Sequence, residues 1–281
     1  MGQKRVAAIH DISCFGKCSL TVALPIISAA GIETSVIPTA VLSTHTADIF
    51  KNFTFRDLTD DLLEIAKHWN SMNLHFDAIY TGYLGSIEQI DIVAQMINLI
   101  KSDDTRIVID PVMADHGKLY TCFSSDFPKA MARLCSKADV IIPNMTEAAF
   151  LLGEDYTQGP YDREYCDNLA QRLCKNLGAK QAVVTGVYFD NKKLGAACFD
   201  GITTKFVMKE RIEKLYHGTG DVFGSALVAA LVRGQSLKTA TKTAVDFTCA
   251  SIERTINENP QREYGVNFEG ELPSLIKKLG I

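Results

Sequence analysis

The residue types best suited to chemistry stand together in Gly218-Thr219-Gly220-Asp221, which opens the run Val222-Phe223-Gly224-Ser225 and the apolar stretch Ala226–Leu231. Glycines where a loop becomes a helix leave backbone N–H groups uncovered. A helix start adds unpaired donors and the positive end of the helix dipole. Such a turn suits a phosphate or a developing negative charge, and Asp221 stands within reach of whatever docks there. The competing reading makes Asp221 an N-cap and the glycines a simple turn. The segment is neither GxxxxGK(S/T) nor GxGxxG, because Phe223 stands where the third glycine belongs.

Two further constellations carry acids. Asp110-Pro111-Val112-Met113 directly follows the strand-like run Arg106–Ile109. In open parallel sheets ligands bind beyond the carboxyl ends of strands, so Asp110 is sited for a hydrated Mg2+ or a nucleotide phosphate. Pro143-Asn144-Met145-Thr146-Glu147 follows Val140–Ile142. Asn144 with Glu147 three residues on also reads as a capping box. Two acids at adjacent strand ends point to a shared metal site. His10, Asp11 and Ser13 end the first strand, His45 follows the second, and Tyr83 follows the third within Thr81-Gly82-Tyr83-Leu84-Gly85. Tyr83 could stack on a flat ring or cover apolar surface. His68, His75 and His116 lack companions at metal-ligand spacing and read as surface or structural residues.

The elements that must position these groups alternate. Strands are expected at Arg5–Ile9, Glu33–Pro38, Phe76–Tyr80, Arg106–Ile109, Val140–Ile142 and Ala182–Thr185. Helices are expected at Lys17–Ala30, Thr59–Met72, Ile87–Lys101, Phe127–Lys137, Thr146–Leu152 and Asp162–Leu177. Strands separated by helices predict βαβ units around a parallel sheet. Runs that are apolar throughout fit strands covered on both faces. Leu194–Phe199 and Thr203–Met208 flank Asp200-Gly201, a hairpin signal. Helices follow at Asp221–Arg233, Leu237–Asn257 and Glu271–Leu279. No repeat or linker interrupts the 281 residues, so one three-layer α/β domain over 1–281 is expected.

Composition narrows the function. Apolar residues make up 47% and charged residues 22%, with a formal charge of −4. This is a folded chain without the basic surface of a nucleic-acid binder. No apolar run approaches the roughly 20 residues that span a bilayer, and Val6–Ile9 is too short for a signal-peptide core. The eight cysteines form no CxxC pair, which disfavours zinc ribbons and redox motifs. They read as reduced thiols of a cytoplasmic protein, most of them core residues.

As an ordered set, TGYLGS at Thr81–Ser86, DPVM at Asp110–Met113, PNxxE at Pro143–Glu147 and GTGD at Gly218–Asp221 resembles the ribokinase-like superfamily in its vitamin kinase branch. The resemblance covers nearly the whole chain. TGYLGS and the STHT at Ser43–Thr46 are most similar to the pyridoxal/pyridoxamine kinase family. The resemblance implies a ribokinase-like fold, a mainly parallel central sheet flanked by helices. It implies phosphorylation by ATP of the 5′-hydroxymethyl group of pyridoxal, pyridoxine and pyridoxamine, in salvage. Asp221 would be the base, and Gly218, Thr219 and Gly220 the anion hole. Asp110 and Glu147 would serve Mg2+ and the ATP phosphates, Glu147 through water. Asn144 and Thr185 would lie near the nucleotide phosphates, and Asp11, Thr46 and Tyr83 would line the ring pocket. K+ is a candidate further cofactor, and a homodimer the expected assembly.

Two residues depart from the pyridoxal kinase pattern: Asp11 replaces the usual serine, and Thr44 the usual asparagine. Asp11 is closer to the hydroxymethylpyrimidine kinases of thiamine synthesis, which form the nearest rival reading. An acid there favours a cationic or donor-rich ring. Sugar kinases fit less well, for lack of an identifiable set of hydroxyl-directed polar groups. A non-catalytic vitamin or pyridoxal-phosphate carrier would need no base beside an anion hole. Tyr216 and His217 precede the glycine turn, so no aldehyde-capturing thiol is expected there. Lys192, Lys193, Lys209, Arg211 and Lys214 could cover the triphosphate or form a solvated hairpin face. Segment 39–53 could close over substrate.

Overall fold

The computed structural model describes residues 2–46 and 49–281. In chain order the strands are β1 (Arg5–Phe15), β2 (Glu33–Thr44), β3 (Phe55–Asp57), β4 (Ala78–Thr81), β5 (Arg106–Ile109), β6 (Ala114–Asp115), β7 (Lys118–Leu119), β8 (Val140–Ile141), β9 (Gln181–Val187), β10 (Lys193–Phe199) and β11 (Thr204–Glu210). The helices are α1 (Leu20–Ala29), α2 (Thr59–Ser71), α3 (Ile87–Ile100), α4 (Phe127–Cys135), α5 (Met145–Leu151), α6 (Arg163–Leu177), α7 (Thr219–Val232), α8 (Leu237–Glu258) and α9 (Leu272–Leu279). No helix among the described residues is long and apolar enough to cross a membrane.

One sheet takes the order β11-β10-β9-β8-β5-β4-β1-β2-β3. Its centre, from β9 through β2, is parallel. The β9–β10–β11 edge and the β2–β3 edge are antiparallel. Both faces carry a core. Ile79 and Ile109 pack with α2 to α6 through Leu62, Val93, Leu134, Ala148 and Leu169. Tyr80 and Val108 pack with α1, α7, α8 and α9 through Ile26, Leu227, Ala244 and Leu275. Successive strand residues thus enter opposite cores, which is why these strands are apolar throughout. The fold is a three-layer α/β arrangement around a mainly parallel sheet, as the sequence pattern implies.

Several boundaries differ from the sequence expectation. β1 runs past Ile9 to Phe15, and β2 runs past Pro38 to Thr44. Pro38 lacks an N–H, and the ladder slips there: His10 pairs with Pro38 but Ile12 with Val41. The Thr39 carbonyl is diverted to the Leu58 N–H at 3.1 Å and Gln89 Nε2 at 3.1 Å. Residues 39–44 of the expected closing segment 39–53 are therefore paired strand, and residues 47–48 lie outside the described residues. α1 begins at Leu20 rather than Lys17, whose N–H instead bonds the Tyr264 carbonyl at 2.9 Å. The β6–β7 hairpin was not apparent as a pattern, because two-residue strands carry no periodicity.

The expected hairpin forms around Asp200, whose Oδ1 accepts the N–H groups of Ile202 and Thr203 at 2.9 and 2.8 Å. The basic residues near it are engaged on its surface. Lys209 pairs with Asp246 at 3.0 Å, and Arg211 and Lys214 lie over the Tyr188 and Tyr216 rings. The cysteines are all free. Cys135, Cys166, Cys174 and Cys198 are buried, but Cys14 and Cys122 are exposed and Cys18 and Cys249 intermediate, so half rather than most are core residues.

The contact that seats the functional end of α7 is made at Gly224. A Cβ there would overlap the Tyr80 hydroxyl of β4 and meet Asp110 Oδ2 at 3.5 Å. Gly224→Ala is expected to destabilise the protein by about 1–3 kcal/mol through overpacking, read as a lower melting temperature. An unchanged melting temperature would show that α7 does not depend on this approach.

Candidate active site

The site forms at the carboxyl ends of the parallel strands, where α7 meets β5, β8 and β9. Asp110 is the first residue after β5 and is 7% exposed. Asn144 and Glu147 open α5 just beyond β8, and Thr185 lies in β9, bridged to Asn144. Gly218, Gly220 and Asp221 face these groups from the start of α7, around one cavity. Topology thus brings together residues from four separate stretches of sequence.

Gly218 makes the approach possible. It adopts φ 76°, and a Cβ on it would collide with the Lys17 carbonyl oxygen in the β1–α1 loop. A side chain here would be opposed both by backbone conformation and by space. The α7 N-terminus has no side-chain cap. The Thr219 hydroxyl turns back to the Tyr216 carbonyl at 3.2 Å. The first-turn N–H groups therefore have no side-chain cap and are left as donors of the kind that can receive an anion.

The α5 start has the opposite character. Asn144 Oδ1 accepts the Thr146 and Glu147 N–H groups at 2.8 and 2.9 Å, and Glu147 Oε2 accepts the Asn144 N–H at 2.9 Å. Glu147 Oε1 also accepts Met113 N–H at 3.0 Å, and Asn144 Nδ2 donates to the Ala114 carbonyl at 2.8 Å. The capping box is therefore real, and it doubles as a clamp on the segment after Asp110. Asn144 spends its side chain on this clamp while lining the cavity. Among the described residues no donor is found on the Asp110 carboxylate, which leaves its oxygens open to a ligand.

The electrostatics are one-sided. Burial pushes Asp221 up to about 7, with the Asp11 charge adding to it and the Ser19 N–H opposing. Burial pushes Glu147 up to about 8 against its three backbone donors. Asp110 is driven well above the usual carboxylate range by burial and by the charges of Glu147 and Asp221. No Lys, Arg or His side chain pairs with any of the three among the described residues. Neither does any group of three or more His, Cys, Asp or Glu form a ready-made metal cage there. Such a site suits a hydrated divalent cation carried in with phosphates, held by one or two carboxylates.

Asp11 and Tyr83 are not among the residues lining this cavity, but Ser19 ties Asp11 to Asp221, and the Asp11 charge raises both Asp221 and Tyr83. Asp11 lies inside the lengthened β1, not at its end. Thr46 lies exposed, two residues past β2. His68, His75 and His116 are exposed.

Sequence reasoning missed three residues. Tyr120, after the β6–β7 hairpin, lines the cavity. Ser19 adopts φ 53° and ψ −130°, a strained conformation for a residue with a side chain. Its N–H serves Asp221 and its hydroxyl serves Asp11. Cys18 places its sulfur 3.3 Å from where a Gly218 Cβ would stand. A thiol does stand beside the glycine turn, but it comes from the β1–α1 loop, not from the residues preceding the turn. Burial and the charges of Asp221 and Asp11 keep it protonated. No local sequence signal marks any of the three.

Comparison with known proteins agrees with this arrangement. Residues 24–266 match the family described as phosphomethylpyrimidine kinase. The chain is 30% identical over 187 residues to the pyridoxine kinase of Bacillus subtilis, a match spanning 65% of this chain and 66% of that relative. A candidate phosphomethylpyrimidine kinase of Bacteroides thetaiotaomicron, crystallised with pyridoxal, superposes with TM-score 0.90 at 37% identity, covering 98% of this chain and 96% of that one. Pyridoxal kinase of Lactobacillus plantarum superposes with TM-score 0.88 at 31% identity, covering 99% and 98%. The chain therefore belongs to the phosphomethylpyrimidine kinase family, and with it to the ribokinase-like kinases that include the pyridoxal and pyridoxine kinases.

Proposed function

We propose that the protein transfers the γ-phosphoryl group of ATP to the 5′-hydroxymethyl group of vitamin B6 rings. The observation that carries this is the uncapped, glycine-lined start of α7 with Asp221 beside it, facing Asp110 across one cavity. Phosphoryl transfer asks for in-line positioning and charge stabilisation. Asp221 takes the proton of the substrate hydroxyl as its oxygen bonds the γ-phosphorus, and the bond to ADP breaks. The N–H groups of Gly218, Thr219 and Gly220 receive the equatorial oxygens of the group in flight. Asn144 and Thr185 lie at the nucleotide phosphates. Asp11, Thr46 and Tyr83 bound the ring.

Mg2+, when bound, neutralises charge on the nucleotide phosphates. Asp110 would hold it directly, and Glu147, whose oxygens are taken up by backbone N–H groups, through water. The neighbour crystallised with pyridoxal supports a pyridine ring as acceptor. The family description favours a second reading, phosphorylation of a hydroxymethylpyrimidine or its phosphate. A carrier of the vitamin or its phosphate would leave Asp221 without a task.

Asp221→Asn is expected to lower kcat by about 10²–10⁴-fold while nucleotide affinity stays within a few-fold. Retained turnover would remove Asp221 as base, and retained function without any turnover would favour the carrier.

Because kcat/KM reports the free enzyme, its pH profile should rise on the acid side with an apparent pKa of about 7, where Asp221 loses its proton. An acid limb near 4 would place the base elsewhere.

The carboxylates also couple stability to pH. Asp221 and Glu147 have folded values raised from 3.8 and 4.5 to about 7 and about 8, so the folded state binds more protons between these limits. Stability of the ligand-free protein should therefore fall as pH rises from about 4 to about 8. Asp110→Asn should raise the melting temperature at pH 8 and flatten this fall, at the expense of activity. A melting temperature that climbs with pH would contradict the assignment.

A further inference from the structure

Asp11 is 5% exposed, yet its hydrogen-bond donors are all neutral: the Ser13 hydroxyl at 3.3 Å, the Ser19 hydroxyl and its own backbone N–H. Hydroxyl donors soften the cost of burying a carboxylate but leave its charge uncompensated. Burial accordingly holds its carboxyl above the ordinary range. The residue sits at the slip between β1 and β2, opposite the stretch where Pro38 breaks the ladder. Slips of this kind re-aim side chains at functional sites.

Among the described residues, no Lys or Arg is paired with it. From α7 comes Asp221, and from the β1–α1 loop Cys18, both sensing the Asp11 charge. From beyond β4 comes Tyr83, which also senses Asp57 of β3 and contacts Cys122. His10 of β1 and His45 after β2 are pushed down to about 3 and about 4, chiefly by burial, and are neutral. His217 lies against His45, with ring centroids 5.3 Å apart. Lys17 turns its ammonium to Glu269 and the Phe268 ring. Among the described residues, the groups that face Asp11 are thus acids and neutral side chains.

We propose that Asp11 makes this site select a ring bearing a cationic amine next to the reacting hydroxymethyl group, so that pyridoxamine is the preferred B6 acceptor. The inference rests on the kinase reading above. Pyridoxamine carries an aminomethyl cation at the ring position beside the hydroxymethyl carbon. Pyridoxal and pyridoxine carry a neutral aldehyde or alcohol there. An ammonium would pair Asp11 and offset its desolvation, whereas the neutral vitamers leave it unpaired. Sites that must pair a buried polar group discriminate strongly against ligands lacking the partner.

The test compares pyridoxamine, pyridoxine and pyridoxal under saturating Mg-ATP, in the wild type and in Asp11→Asn, which keeps the size and removes the charge. The wild type should favour pyridoxamine over pyridoxine by about tenfold or more in kcat/KM, mostly through KM. Asp11→Asn should lose at least about tenfold more with pyridoxamine than with pyridoxine. Equal losses for all three vitamers, or a wild type that favours the neutral rings, would overturn the proposal. Calorimetric titration with pyridoxamine alone gives a second readout, with the melting temperature of the variant as the folding control. Tight binding weakened by Asp11→Asn supports the proposal, and binding indifferent to it overturns it. If no B6 ring is phosphorylated, the kinase reading fails, while the titration still decides the role of Asp11.

Discussion

Asp11, Asp110, Glu147 and Asp221 are drawn to one rim of the sheet, and no cation among the described residues pairs with them. Carboxylates taken from water without a partner destabilise the folded state. The rest of the structure is arranged to bear that. Glu147 is held by three backbone N–H groups, Asp221 by the Ser19 N–H, and Asp11 by two serine hydroxyls and its own N–H. Asp110 has the least support and the greatest exposure to its neighbours' charge. Under the proposed function, such an arrangement would be completed by what binds: a divalent cation with phosphates on one side, a cationic ring on the other.

The same constraint explains the backbone around the site. Two close approaches set the distance between the β1–α1 loop, the α7 start and the strand ends. One is Gly218 against the Lys17 carbonyl, and the other is Gly224 against Tyr80. The strained Ser19 sits at the junction and touches both Asp11 and Asp221. Strain of this sort persists where surrounding packing over-determines it, and it gathers at functional sites. Two large apolar cores, one on each face of the sheet, supply that packing.

Much of this was legible in the sequence. Apolar strands alternating with amphipathic helices gave the layers, and acids directly after strands gave the rim. Asp110, Asn144, Glu147, Thr185 and the Gly218–Asp221 turn do converge on one cavity. What escaped depends on contacts between distant segments. The sequence shows Pro38 but not the register slip it accompanies, so β1 and β2 were read too short and Asp11 was placed at a strand end. Cys18 and Ser19 look unremarkable in the chain, and only the approach of the β1–α1 loop to α7 brings them to the site. The capping box at Asn144 and Glu147 was legible as a local motif. That it also clamps the segment after Asp110 was not.

The most direct test of the central claim identifies the product. The protein would be incubated with Mg-ATP and each B6 ring or hydroxymethylpyrimidine, and the phosphorylated species followed by phosphorus NMR. This account predicts a new phosphate monoester on the 5′-hydroxymethyl oxygen of a B6 ring, formed with ADP in equal amount. A monoester formed on the pyrimidine alone, or ATP left unchanged with every ring, would contradict it.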